Sequence, residues 1–307
     1  MTILLKLLIA LFLIMTTPAH AETKTPYIYI LGVAQDAGFP QAGCYKPHCM
    51  QGWKSYEKRL SATSVAVIDS ENHKKYLFEA TPNLPEQLFL LEQEAPDSSL
   101  AGIFITHAHM GHYTGLMYLG REAMGANHIP VYVMPKMEQY LRNNGPWSQL
   151  VKLKNVVLEP LHNGRPVVFK SLEITPILVP HRDEFSETVG FSIKGPNKTA
   201  LFIPDINKWS QWEKNIADQI KASDYALIDA TFYDRNELPG RDMSKIPHPF
   251  VMETMDALSQ LSDQQRSKVW FIHMNHTNPL LNLNSEQSQV VRNRGFNIAS
   301  FGLKLPL

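Results

Sequence analysis

"IFITHAHMGHYTGL", residues 103–116, decides how the rest of the chain is read. An apolar, β-branched run ends in His107, Ala108 and His109, and His112 follows two residues after Met110. Alternate residues of an extended segment point to the same side, so His107 and His109 can converge. His112 is expected to join them after a turn at Gly111. Solvated loops have little need of three imidazoles so close, whereas neutral imidazole is the commonest protein ligand for zinc, iron or manganese.

Outward from this stretch the pattern repeats. "LEITPILVP" ends in His181, "TALFIP" in Asp205 and "KVWFI" in His273, with His276 three positions later. Reactive groups at strand ends sit on loops anchored by rigid elements. Ten strand-like runs begin at Tyr27, Ser64, Lys75, Ala101, Ile129, Leu172, Thr188, Thr199, Tyr225 and Lys268. Helical patterns are predicted over 84–93, 115–124, 136–143, 209–221 and 251–261. Strands fall in neighbouring groups instead of alternating strictly with helices, which favours two sheets packed face to face with helices outside, an αββα sandwich.

The chain has 307 residues and is 44% hydrophobic, enough for one large core. Lys and Arg number 29, as do Asp and Glu, so no basic excess points to nucleic acid. The start, "MTILLKLLIALFLIMTTPAHAETK", has Lys6, an apolar run and Ala19-His20-Ala21. It reads as a secretory signal peptide over 1–21, leaving a single domain over 22–307 that is periplasmic or secreted and free of the membrane. The two cysteines, Cys44 and Cys49 in "GCYKPHC", are open to a disulfide or, with His48 beside them, to a metal.

The ordered set His107, His109, His112, His181, Asp205 and His273 resembles the metallo-β-lactamase fold superfamily, whose signature is HxHxDH followed by a later His, an Asp and a final His. The likeness spans essentially the whole mature chain and implies a four-layer αββα sandwich. "LGVAQDAGFPQAGCYKPHC" and "FIHMNHTNPLL" are further similar to the coenzyme PQQ synthesis protein B branch. By that resemblance Cys44, Cys49 and His276 would hold a structural zinc, with Lys46 where the branch has another cysteine and His48 as a substitute ligand. The alternative is a Cys44–Cys49 disulfide.

The resemblance also assigns the metals: His107, His109 and His181 to a first ion, His112 and His273 to a second, Asp205 bridging. Gly111 stands where the signature has its first Asp, so the second set lacks a carboxylate. Asp36, in "AQDAGFP", is the proposed replacement, with Gly111 leaving room for it. Zinc is the expected metal, iron or manganese the alternatives. Two such ions activate water against an ester, lactone, amide or phosphodiester bond of a small molecule. His248 and Asp183 are the candidate proton donors or supporting groups, and Glu184, Tyr233 and Arg241 the candidates to face substrate. Oxygen chemistry of the kind linked with the PQQ branch, and a non-catalytic binding protein on the same fold, are the competing readings. Nothing in the sequence decides between a monomer and a homodimer.

Overall fold

The structure is a computed structural model that describes residues 25–307; the expected signal peptide lies outside them. Among the described residues two seven-stranded sheets face each other. The first has strands β1 (Tyr27–Gly32), β2 (Ser64–Asp69), β3 (Lys74–Phe78), β4 (Ser99–Phe104), β5 (Ile129–Val133) and β6 (Val156–Pro160) in that spatial order. The second holds β7 (Val167–Val168), β8 (Glu173–Leu178), β9 (Val189–Lys194), β10 (Thr199–Ile203), β11 (Tyr225–Asp229), β12 (Val269–Ile272) and β13 (Asn297–Ile298). The last strand, β14 (Lys304–Pro306), returns to pair antiparallel with β1. Each sheet is antiparallel on one side and parallel on the other, with β3 to β6 and β10 to β13 forming the parallel parts.

The period of two sorts each strand of the first sheet between two cores. Ile28, Ile30, Val65 and Val67 enter the core between the sheets, while Tyr29, Leu31, Ala66 and Ile68 enter a second core under the helices. That is why β2 is buried along its whole length. Leu84, Leu91, Met137 and Leu141 from the helices Leu84–Glu94 and Pro135–Asn143 complete this outer layer. On the other side Ile220, Val251, Met255 and Val291 bring helices onto the second sheet. Phe78, Phe104, Phe191 and Phe202 fill the centre, with ring centroids 5.0 to 6.1 Å apart in the Phe78 contacts. The fold is the expected αββα sandwich. No helix among the described residues is long and apolar enough to cross a membrane.

Three predicted helices are shorter than their patterns, the 251–261 pattern being helical only over Val251–Ala257. Residues 115–124 form only a 3-10 segment within Thr114–Leu119, where Gly115 lies so close to Thr81 that an added Cβ would sit 2.0 Å from its carbonyl oxygen. The 209–221 pattern breaks into a 3-10 turn, Trp209–Gln211, and a helix, Ile216–Lys221. Asn215 restarts it, its side chain accepting from the Ala217 amide.

Candidate metal centre

Strands β3, β4, β8, β10, β11 and β12 all run toward one edge of the sandwich, and their C-terminal ends supply the polar cluster. After β4 the chain runs on through His107, bends at Ala108 and His109, then makes one helical turn over Met110–Tyr113. His107 Nε2 comes within 2.8 Å of His109 Nδ1, and His181 Nε2 lies 3.2 Å from that same nitrogen. Asp205 Oδ2 stands 3.4 Å from His107 Nε2, 3.2 Å from His181 Nε2 and 3.8 Å from His112 Nε2. Donor atoms of His107, His109, His181 and Asp205 all fall within 4.8 Å of one another, and so, as a separate group, do those of Asp36, His112 and His273.

The second group contains the carboxylate that the sequence placed there. The loop after β1 is fixed beside β12, with the Gln35 amide donating to the Met274 carbonyl at 2.8 Å, and this brings Asp36 to His273. Gly111 lies inside the helical turn and has no left-handed backbone to accommodate, so the expected turn is not its reason. Its lack of a side chain is. A Cβ there would sit 2.4 Å from Asp36 Cα and 2.8 Å from its carbonyl oxygen.

Burial opposes a charge on His112 but Glu79 outweighs it and raises that imidazole's pKa, whereas the surroundings hold two others in ligand-ready form. Burial pushes His107 well below its ordinary range and takes His273 down to about 4, keeping both imidazoles neutral. The Nε2 atoms of His112 and His273 are buried with no hydrogen-bond partner. Such orphans cost about 1–3 kcal/mol each unless something binds them, and a divalent cation suits this nitrogen and carboxylate set. His273 Nδ1 is 3.0 Å from Thr231 Oγ1, while His112 Nδ1 faces Glu79 Oε1 at 3.2 Å as an ion-pair contact without a formed hydrogen bond. His109 Nε2 meets Glu184 at 3.0 Å, and His181 Nδ1 meets Asn207 at 3.3 Å. Outer partners of this kind fix ring orientation at metal sites. Asp36, Glu79 and His273 all have positive φ, of 46°, 75° and 69°. Strained backbone of this sort gathers where surrounding structure over-determines a site.

His248 belongs to the cluster through two carboxylates, 2.9 Å from Asp229 Oδ2 and 3.2 Å from Asp205 Oδ1. Burial lowers its pKa, but Asp229 and Asp205 outweigh burial and raise it to about 9. Asp229 itself is fully buried and also accepts from the Ile206 amide, the Thr231 amide and the Thr231 hydroxyl. Sequence reasoning missed Glu79 and Asp229. Both lie at the end of strand-like runs, "KYLFEA" and "YALIDA", the kind of position that His181 and Asp205 occupy, and it is their burial that separates them from a solvated turn.

Other expectations are corrected. Asp183 is turned to its own loop, accepting from Thr188 Oγ1 at 2.9 Å, and is in none of the donor groups. Glu184, exposed beside the centre, pairs with His109 Nε2 at 3.0 Å. Tyr233 is buried against the hydrophobic core. Cys44 and Cys49 are joined in a disulfide, S–S 2.12 Å, and the same two sulfurs lie with His48 and His276 in a further donor group within 4.8 Å of one another, the set expected for the structural metal. His48 and His276 remain beside it, their rings stacked at 5.7 Å. Arg241 does reach the cavity over the centre.

A clustered set of strand-end imidazoles and carboxylates on an αββα sandwich defines a metallo-β-lactamase-type protein. The family model described as "Beta-lactamase superfamily domain" matches residues 74–274, and the chain belongs to that superfamily. Among curated proteins it is similar to coenzyme PQQ synthesis protein B of Acinetobacter baumannii strain ACICU, 27% identical, covering 92% of this chain and all of that one. The counterpart from Xanthomonas oryzae is 21% identical over 91% of this chain and 99% of its own. Among solved structures, Zn(2+)-bound PqqB from Methylobacterium extorquens superposes with TM-score 0.75 at 20% identity, over 92% of this chain and 100% of that one. A diphosphatase from the PhnP family gives TM-score 0.63 at 20% identity, over 92% and 97%.

Proposed function

We propose that the chain is an exported, metal-dependent hydrolase that opens an ester, lactone, amide or phosphodiester bond of a small molecule. The observation that carries this is the pair of donor groups meeting at Asp205: His107, His109 and His181 on one side, and Asp36, His112 and His273 on the other. Zinc is the proposed metal, and ions held there would supply Lewis acidity and water acidic enough to ionise near neutral pH. Asp205, buried between the groups, keeps both in register. His248 lines the cavity and has Nδ1 held by Asp229, with Asp205 3.2 Å away, which leaves Nε2 as the atom to hand a proton to the leaving group. Thr231 supports two of these imidazoles, lying 3.2 Å from His248 Nδ1 and 3.0 Å from His273 Nδ1.

Export rests on the N-terminal sequence and agrees with the Cys44–Cys49 disulfide, which persists in oxidising compartments. The test is a panel of chromogenic substrates, p-nitrophenyl acetate, bis(p-nitrophenyl) phosphate and a cephalosporin, offered to the metal-loaded protein. Hydrolysis of at least one, abolished by chelation and by His107→Ala, is expected. Absence of turnover across the panel, or turnover indifferent to chelator, contradicts the assignment. A second reading, a step in coenzyme PQQ synthesis using iron, has the full-length likeness to that family in its favour. Bound iron with dioxygen uptake would establish it.

A further inference from the structure

The cavity above the centre has a volume of 590 Å³, the size of a small-molecule site, and Asp36 and His248 form part of its floor. Its charge is one-sided. Lys46, Arg182, Arg241 and Lys245 line it, and Asp36 is the one carboxylate among the lining residues. Among the described residues, no carboxylate lies within 4.0 Å of Lys46 or Arg241. Lys245 has only the exposed Asp242 at 3.6 Å, and Arg182 only Glu184 at 3.9 Å. Surface pairs at such separations bind weakly, which leaves the cations available to a ligand.

These cations are also presented by anchored segments. Met243 and Ile246 are buried with Phe232 and Phe250 in a small core of their own, clamping the loop that carries Arg241 and Lys245. Lys46 caps the helix Pro47–Lys54 and sits inside the ring closed by the Cys44–Cys49 disulfide. Arg182 directly follows His181. Phe232, Leu238 and Ile246 add an apolar strip to the wall.

We infer that the substrate is a small molecule with an oxyanion, phosphate or carboxylate, which the rim of Lys46, Arg182, Arg241 and Lys245 holds while the reacting bond lies over the metal centre. This rests on the hydrolase reading for its second half, but anion capture by the rim is testable alone. Guanidinium forks bind either oxyanion through paired hydrogen bonds, and a low-dielectric wall strengthens the attraction.

The test is calorimetric titration of the metal-loaded full chain with inorganic phosphate and, separately, with succinate, using wild type and the Arg241→Gln/Lys245→Gln variant. Both substituted side chains are exposed, so metal content and melting temperature should match wild type. Weakening of at least one anion by about tenfold in the variant is expected, since direct capture by the metals alone would leave affinity unchanged. Tighter binding of phosphate marks a phosphoryl-bearing substrate, and tighter binding of succinate a carboxylate. Equal affinity of wild type and variant for both anions, or no binding of either to wild type, overturns the inference. Neither result depends on whether hydrolysis is found.

Discussion

Adding one methyl group at position 111 should cost the protein a metal ion. In Gly111→Ala the new Cβ would lie 2.4 Å from Asp36 Cα and 3.0 Å from its carbonyl carbon, whereas ordinary contact begins near 3.4 Å. The obstacle is backbone and cannot rotate aside, so the loop carrying Asp36 must withdraw by about 1 Å. Metal–ligand distances tolerate about 0.2 Å, so a shift of that size takes Asp36 out of the group it forms with His112 and His273. Overpacking costs about 1–3 kcal/mol, a fall in Tm of roughly 2–5 °C for a domain of this size. Elemental analysis of Gly111→Ala beside Asp36→Ala, with thermal melts of each, gives the answer. Both variants should lose the same equivalent of metal. Wild-type metal content in Gly111→Ala, with Tm within about 1 °C, would refute the claim that the glycine exists to admit Asp36.

Glu237, which accepts from the Tyr233 amide and from Thr277 Oγ1, is raised by burial from 4.5 to about 7. The folded state therefore holds its proton more tightly, and the associated stability, about 3 kcal/mol at most, is present below pH 4.5 and lost as pH rises through about 7. Glu237→Gln should gain on wild type in urea melts at pH 8 but not at pH 4.5; a pH-independent difference would show the carboxyl titrates normally. Asp229→Asn would place an amide donor among the donors it now faces, costing about 3–5 kcal/mol and weakening metal about 10–100-fold in chelator competition. An unchanged melt and affinity would remove Asp229 from its supporting role. Thiol titration of the unfolded, unreduced chain should find no free cysteine. Cys44→Ser/Cys49→Ser should then lose roughly 2 kcal/mol from so short a loop. Two free thiols with an additional chelatable zinc would establish the structural metal site in place of the disulfide.

Much of the centre was legible because its ligands end strands. His107, His109, His181, Asp205 and His273 each follow an apolar run, so their convergence comes from the sheets. The order of such residues carries more information than any one of them. Asp36 was reachable only by asking what compensates for Gly111, since the loop after β1 has no periodicity to read. Glu79 and Asp229 escaped because a carboxylate at a strand end also suits a solvated turn; only burial distinguishes the two cases. Asp183 was misjudged for the opposite reason. Proximity to His181 in sequence does not fix direction, and Thr188 turns its carboxyl back into the loop. The strands β7, β13 and β14, of two or three residues, went unread because their pairing is set by tertiary contact, with too few residues to show a period.

The central claim is that one buried carboxylate, Asp205, joins two metal-binding groups. Its most direct test is the metal content of the purified protein, by elemental analysis after dialysis against zinc and then against buffer, for wild type and Asp205→Ala. The account predicts two ions per wild-type chain and loss of both, or a steep fall in affinity for both, in the variant. A wild-type chain that retains no metal, or a variant that keeps both ions, would contradict it.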